Sequence, residues 1–278
     1  MADRFDKRLT PARPDLAATH LKGVVEASRF VEGEKFSVIA GRASLCVKPS
    51  ADAAQDSELL FGESFTIYER KDGWAWGQAA ADSYVGYVRD DLLGAPFTPD
   101  ARIIAPMAPA FAAPDLKTPV RDMLPLNARV KRAALEGDYH QVAPGRFVHY
   151  RQLAPLDEFA ADFVAVAERF LGVPYVWGGK TFAGLDCSGL IQTALQACGT
   201  DCPRDTDMQE KVLGEGVRLD SLQRGDLVFW KGHVGVMRDA TQLLHANAFH
   251  MQVAAEPLSE STLRIEKACG PVTSIKRF

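Results

Sequence analysis

The sequence predicts an α+β chain: a C-terminal domain of helices packed on an antiparallel sheet, preceded by two small β-barrels. Three observations carry this. Residues 35–95 alternate apolar and polar positions in short runs separated by turns, the pattern of a half-buried sheet. A fainter copy of the same layout follows within residues 97–156. From residue 157 the period changes to that of helices, and strand-like runs come after them, the order of an α+β domain.

The 278 residues are 47% hydrophobic and 24% charged, with a formal net charge of −4. This is the composition of a globular protein and gives no reason to expect nucleic acid or an anionic membrane as partner. No run approaches the ~18 apolar residues of a membrane span. The first 23 residues carry charge but no apolar core of a secretory signal, so the expectation is a chain kept in the cytoplasm. Five cysteines, at 46, 187, 198, 202 and 269, form no framework and no C-x-x-C pair. Free thiols in a reducing compartment are expected, with no metal and no organic cofactor.

In chain order, residues 1–34 read as a polar, Pro-containing arm whose apolar positions are Val24–Val25 and Phe30–Val31; packing on another element and a disordered tail both fit it. The first barrel spans 35–96. Phe65 and Ile67 alternate with Thr66 and Tyr68, Gly86 and Val88 with Val85 and Tyr87, and Asp72-Gly73 supplies a hairpin turn. Six prolines between 96 and 119 mark a linker or the irregular start of the second barrel, assigned to 97–156. Phe159, Phe163, Ala167, Phe170 and Leu171 form a helical stripe over 158–171, with Asp157 as N-cap and Gly172 beyond the end. A second helix covers Cys187 to Cys198, burying Leu190, Ile191, Ala194 and Cys198 and ending at Gly199. The runs DLVFW, HVGVMRD and QLLHANA then read as successive strands.

Cys187 opens that second helix, where unpaired N–H groups and the dipole favour a thiolate. His233 and His245 sit in strand-like runs twelve residues apart, a spacing that fits a hairpin placing them side by side. A helix-start cysteine with histidines on strands is the layout of a papain-like cysteine hydrolase. Cys187 is the candidate nucleophile and His233 the general base and acid. His245 would hold one nitrogen of His233 as third member of a triad. His250 competes for that role and Asn247 is a poorer candidate; a straight strand cannot point both His245 and His250 to one face.

The phrases Tyr175-Val-Trp-Gly-Gly179, Asp186-Cys-Ser-Gly189, Pro203-Arg204, Arg224-Gly-Asp-Leu227 and His233-Val-Gly235 resemble the catalytic domain of the NlpC-type cell-wall cysteine peptidases, a papain-like clan, over residues 157–278. Leu60-Phe-Gly-Glu63, Gly73-Trp-Ala-Trp76 and Tyr84-Val-Gly-Tyr-Val88 resemble a bacterial SH3-like domain. Together they resemble the intracellular γ-D-glutamyl-L-diamino acid endopeptidases of the dipeptidyl-peptidase VI type. The resemblance implies that Tyr175 helps hold the oxyanion beside the Cys187 backbone N–H. For Asp186 two roles stand open: helix N-cap, or a carboxylate pairing with a substrate α-amine, with Ser188 adding a hydrogen bond. Tyr84 matches an SH3-like tyrosine that reaches the active site in that branch, and Glu58 or Glu63 would be a second carboxylate for the amine. Arg204 and Thr206 would line a pocket for the D-glutamyl carboxylate, although Arg204 also suits a loop brace. Trp177 would be wall.

The resemblance implies a murein peptide as substrate, with a free N-terminal L-Ala and cleavage after γ-D-Glu, in cell-wall peptide recycling. The SH3-like domains would narrow the cleft. Another thiol amidase or acyltransferase of the same fold, and a murein-peptide binder with an inert catalytic domain, are the alternatives. The sequence leaves diaminopimelate and lysine both open at the diamino position, and it leaves the oligomeric state open.

Overall fold

The structure, a computed structural model, describes residues 5–278; residues 1–4 of the expected arm lie outside them. The chain divides after Leu156 into two compact units.

In the first unit, the arm carries two short parallel strands, β1 (Ala17–Ala18) and β2 (Phe30–Val31). Its anchor differs from the expected apolar patch. Val24 is exposed, whereas Leu16, Ala17 and Ala18 are buried. Arg13 lies over the Trp76 ring at 4.3 Å, donates to Tyr87 Oη at 2.8 Å and pairs with Glu69. A guanidinium can cover an aromatic face with its flat side while its N–H groups bond at the edge, and composition alone does not show which arginine does so.

The first barrel is a seven-stranded sheet in the order β5-β4-β8-β7-β6-β3-β9. Its strands are β3 (Glu34–Val38), β4 (Arg42–Cys46), β5 (Gln55–Leu60), β6 (Ser64–Lys71), β7 (Trp74–Ala79), β8 (Val85–Arg89) and β9 (Leu93–Gly94). Asp72 and Gly73 join β6 to β7 as a two-residue turn, both at positive φ, with Lys71 opposite Trp74. Such a turn matches the twist of the strands it joins. Phe65, Ile67, Gly86 and Val88 face inward as the alternation predicts.

Residues 101–155 form two further sheets, β13-β10-β17 and β12-β11-β16-β15-β14. Their strands are β10 (Ala101–Ile103), β11 (Met107–Phe111), β12 (Val120–Pro125), β13 (Arg129–Val130), β14 (Leu135–Glu136), β15 (Tyr139–Ala143), β16 (Arg146–His149) and β17 (Leu153–Pro155). The proline-rich stretch is therefore part of a sheet. Pro109 sits inside β11, which pairs with β12 along its length but meets β16 only at Phe111, so its missing N–H leaves a lightly used edge. Ala101, Ile103, Ala108, Ala110, Val130 and Val148 share one core with Leu60 and Phe61 of the first barrel.

The second unit begins with helix α1 (Phe163–Glu168). It starts later than the stripe predicts. Asp162, not Asp157, is the cap, accepting from Val164 N at 2.8 Å and Ala165 N at 3.1 Å. A carboxylate two residues before the first free N–H groups outcompetes one farther upstream, and Phe159 is left half-exposed. The hairpin β18 (Lys180–Thr181) and β19 (Gly184–Leu185) leads into helix α2 (Cys187–Ala197), which ends at Cys198 and Gly199. Helix α3 (Thr206–Val212) follows.

The sheet of this unit has the order β20-β25-β21-β22-β23-β24. Its strands are β20 (Glu215–Gly216), β21 (Leu227–Trp230), β22 (His233–Met237), β23 (Gln242–Asn247), β24 (Gln252–Pro257) and β25 (Val272–Arg277). Helix α4 (Leu258–Cys269) comes between β24 and β25, and β25 returns to pair with β21. The simple order of helices then sheet is thus corrected. Only Leu258, Ser261 and Ile265 of α4 are buried, too narrow a stripe to announce a helix. Leu258 and Ile265 pack on Val228, Trp230, Met237, Leu243 and Ile275. Among the described residues no helix is long and apolar enough to cross a membrane.

Candidate active site

Cys187 occupies the first position of α2, with Asp186 as its N-cap. Asp186 Oδ1 accepts from Gly189 N at 2.7 Å and Oδ2 from Gly178 N at 2.8 Å. Gly189 permits this because a Cβ there would stand 2.1 Å from the Gly179 carbonyl oxygen. The motif Asp-Cys-Ser-Gly thus fixes the helix start against the Gly178–Gly179 loop.

Arg204 is 1% exposed and forks onto both Asp186 oxygens, at 2.9 and 2.6 Å. It also donates to Ser188 Oγ at 2.9 Å and approaches the Gly179 carbonyl. Of the two roles open to Arg204, the structure displays the brace: it is buried and donates to Asp186, Ser188 and the Gly179 carbonyl. It also answers a question raised by the sequence. A bare carboxylate beside the nucleophile would oppose a thiolate, and the guanidinium offsets it. Of the two roles open to Asp186, the structure displays the cap. Ser188, also buried, is a partner of that ion pair.

The thiol meets Thr206 Oγ1 at 3.8 Å, at the start of α3. Backbone N–H groups of Ser188 and Val234 point toward its sulfur. The Val234 donor reflects a split in the sheet. Strands β22 and β23 pair at Val236–Leu244 and Met237–Leu243, and the pairing does not continue to the His233 end. Burial pushes the Cys187 thiol up to about 11, with Asp186 acting in the same direction and those three donors opposing. Desolvation also pushes His233 down to about 3, helped by His245 and Arg264. The helix-start donors act in the expected direction, against a larger effect of burial. Burial thus disfavours the charged form of both groups.

His233 and His245 lie on the same face of neighbouring strands, and His233 Nε2 is 2.8 Å from His245 Nδ1. Gly235 makes room between them: a Cβ there would fall 2.7 Å from Leu243 Cδ1 and 3.1 Å from His245 Cβ. His245 is fully buried, and its Nε2 lies 2.7 Å from Glu256 Oε1 on β24. Glu256 also pairs with Arg264 of α4. His250 lies past the end of β23, its Nδ1 3.1 Å from Asn247 Oδ1 and 3.9 Å from Glu256.

Tyr175 is held by a bond from its N–H to Met251 O at 2.9 Å and by a bridge to Leu185. Burial, then the nearby Cys187 and Asp186, raise its hydroxyl above the usual range, so it stays a hydrogen-bond donor near the sulfur. Trp177, two residues on, is largely exposed.

In the first unit, Tyr84 is buried, follows Ser83 at positive φ, and takes a bond from its N–H to Asp82 Oδ1 at 3.1 Å. Glu58 is buried and accepts from Arg42 at 2.6 Å. Glu63 accepts from Leu60 N at 3.1 Å.

Glu256 and Arg264 escaped sequence reasoning. The register of β23 with β24 sets Leu243 opposite Glu256, making Glu256 the diagonal neighbour of His245. The usable signal was a carboxylate one strand beyond the histidine.

A thiol at a helix start, together with two histidines paired across neighbouring strands, is the residue set of a papain-like site. Two family profiles match: the NlpC/P60 family over residues 172–268 and the bacterial dipeptidyl-peptidase Sh3 domain over 45–93. The chain carries an NlpC/P60 domain behind a bacterial dipeptidyl-peptidase SH3 domain. Among curated proteins it is similar to the γ-D-glutamyl-L-lysine dipeptidyl-peptidase of Bacillus subtilis, 36% identical over 127 residues, covering 41% of this chain and 43% of that protein. Dipeptidyl-peptidase 6 of Lysinibacillus sphaericus is 34% identical over 102 residues, 37% of this chain and 38% of that protein. The match thus spans less than half the length of either relative. A crystal structure of an NlpC/P60 family protein from Bacillus cereus superimposes with a TM-score of 0.74 at 18% identity, covering 88% of this chain and 99% of that one. That likeness shows the fold: an α+β, papain-like NlpC/P60 domain with an SH3-like domain before it.

Proposed function

We propose that this chain is a cysteine endopeptidase of murein peptides, hydrolysing the γ-D-glutamyl–diamino acid bond of substrates with a free N-terminal L-Ala. The observation that carries the reading is the Cys187 thiol at the start of α2, beside Thr206, together with the paired histidines, His233 Nε2 lying 2.8 Å from His245 Nδ1. The name of the Bacillus subtilis relative supports the γ-D-glutamyl linkage.

In this mechanism His233 takes the thiol proton as Cys187 Sγ attacks the γ-carbonyl carbon. The Tyr175 hydroxyl and the Cys187 backbone N–H hold the oxyanion. Collapse breaks the C–N bond, and the amine leaves with the proton from His233. Water, deprotonated by His233, then attacks the thioester; the C–S bond breaks, the L-Ala-γ-D-Glu acid leaves, and His233 returns its proton to the Cys187 sulfur. Thr206 would line the pocket for the D-glutamyl carboxylate, and Trp177 would be wall. For the substrate amine, Asp186 with Ser188 is the proposed partner, although Asp186 already serves Gly178, Gly189 and Arg204. The same proposal puts the reaction in the cytoplasm, in the recycling of wall peptides, without nucleic acid or membrane.

The test offers L-Ala-γ-D-Glu-diaminopimelate and the lysine analogue, each with and without an N-terminal acyl cap. Release of L-Ala-γ-D-Glu from uncapped peptides only is expected, together with loss of turnover in Cys187→Ala. Equal cleavage of capped peptides would refute the free-amine requirement. Turnover of acyl esters alone would favour a different thiol hydrolase, and binding without cleavage an inert module.

A further inference from the structure

We infer that Glu256 is a positioning residue of the Cys187 site, fixing through His245 which nitrogen of His233 carries its proton; the inference rests on the peptidase reading above. A carboxylate can only accept hydrogen bonds. Glu256 Oε1 stands 2.7 Å from His245 Nε2, so that nitrogen must carry a proton. A neutral imidazole has one N–H, which leaves His245 Nδ1 as an acceptor. That atom faces His233 Nε2 at 2.8 Å, so His233 must donate from Nε2. Its Nδ1 then keeps the lone pair that a thiol proton needs. One carboxylate on β24 thereby orders two rings on β22 and β23.

The surroundings keep the relay in this state. His245 is fully buried, and that burial disfavours its charged form more than Glu256 restores it. Burial opposes the Glu256 charge too, but the bond from His245 and the ion pair with Arg264 outweigh it and hold the carboxyl at about 2. Glu256 therefore does not take the His245 proton. Arg264 reaches back from α4 and lies over the Phe249 ring at 4.2 Å. The other titratable group nearby is His250, 3.9 Å from Glu256. Without the carboxylate, the His245 Nε2 proton loses this acceptor, and the tautomer protonated at Nδ1 becomes accessible. His233 would then have to protonate its own Nδ1 and lose its lone pair for the thiol.

The experiment reads tautomers and turnover separately. Nitrogen-15 spectra of the full chain, with only histidine labelled, should show His233 and His245 both protonated at Nε2 and bare at Nδ1. Glu256→Ala should move the His245 proton toward Nδ1 and lower kcat roughly ten- to a hundred-fold with KM nearly unchanged, as for lost partners of functional histidines. Glu256→Gln, whose amide oxygen still accepts from Nε2, should recover most of the turnover. A wild-type spectrum with the His245 proton on Nδ1 overturns the inference, whether or not Glu256→Ala folds. So does a folded Glu256→Ala with unaltered kcat. An inactive wild-type chain with the expected tautomers would instead refute the peptidase reading while leaving the relay in place.

Discussion

Replacing Arg204 by Met removes the charge of a brace that is 1% exposed and keeps most of its length. Asp186 would remain, capped by Gly189 N and Gly178 N but stripped of two contacts at 2.9 and 2.6 Å. Breaking one side of a buried ion pair costs about 3–5 kcal/mol, because the remaining charge is uncompensated. Exchange of the α2 amides reads this locally, without requiring the two units to unfold together. At 1.36 kcal/mol per decade, protection should fall by roughly two to nearly four orders of magnitude. The bare carboxylate beside Cys187 should also lower thiol reactivity, since Asp186 already acts to raise the thiol pKa. Adding Asp186→Asn should restore part of both quantities, because an amide oxygen still caps the helix while the stranded charge is gone. Protection within tenfold of wild type in Arg204→Met, or a double variant no better than the single, would refute the reasoning.

Gly235→Ala should press on Leu243 and His245 and separate the two rings; a shift of ~1 Å would cost roughly a hundred-fold in kcat, while circular dichroism stays native. Alkylation of Cys187 by iodoacetamide should accelerate as pH rises toward about 11, and a plateau below pH 8 would contradict a buried neutral thiol. For stability, His233 titrates near 3 when folded and near its ordinary ~6.5 when unfolded. The unfolded chain binds more protons in that window, so stability should fall as pH drops from ~6.5 toward 3; a chain equally stable across the window would exclude the low imidazole pKa. Arg13→Ala removes the cover from Trp76 and the bonds to Tyr87 and Glu69, and limited proteolysis should then cut the arm faster, by an amount worth ~1–3 kcal/mol.

Local rules made much of the site legible. Cys187 could be placed because a helix start, its cap and Gly189 are neighbours in sequence. His233 and His245 could be placed because a hairpin spacing is short. Arg204 was legible as a residue but not in its role: whether it faces ligand or Asp186 depends on how the loop before α3 folds back on α2. Glu256 needed the β23–β24 register, a tertiary fact. The same distinction holds for the fold. Period-2 runs and Asp72-Gly73 marked the first barrel. The start of α1 moved because Asp162 offered a nearer cap than Asp157, and α4 was missed because most of its surface is polar.

The central claim is that Cys187 becomes covalently acylated. Rapid acid quench of the chain with L-Ala-γ-D-Glu-diaminopimelate, followed by intact-mass and peptide mapping, tests it directly. An L-Ala-γ-D-Glu thioester on Cys187, absent in Cys187→Ala, is expected to form and to disappear as product accumulates. Cleavage of the γ-D-glutamyl bond at an undiminished rate by Cys187→Ala, with no adduct on this residue, would contradict it.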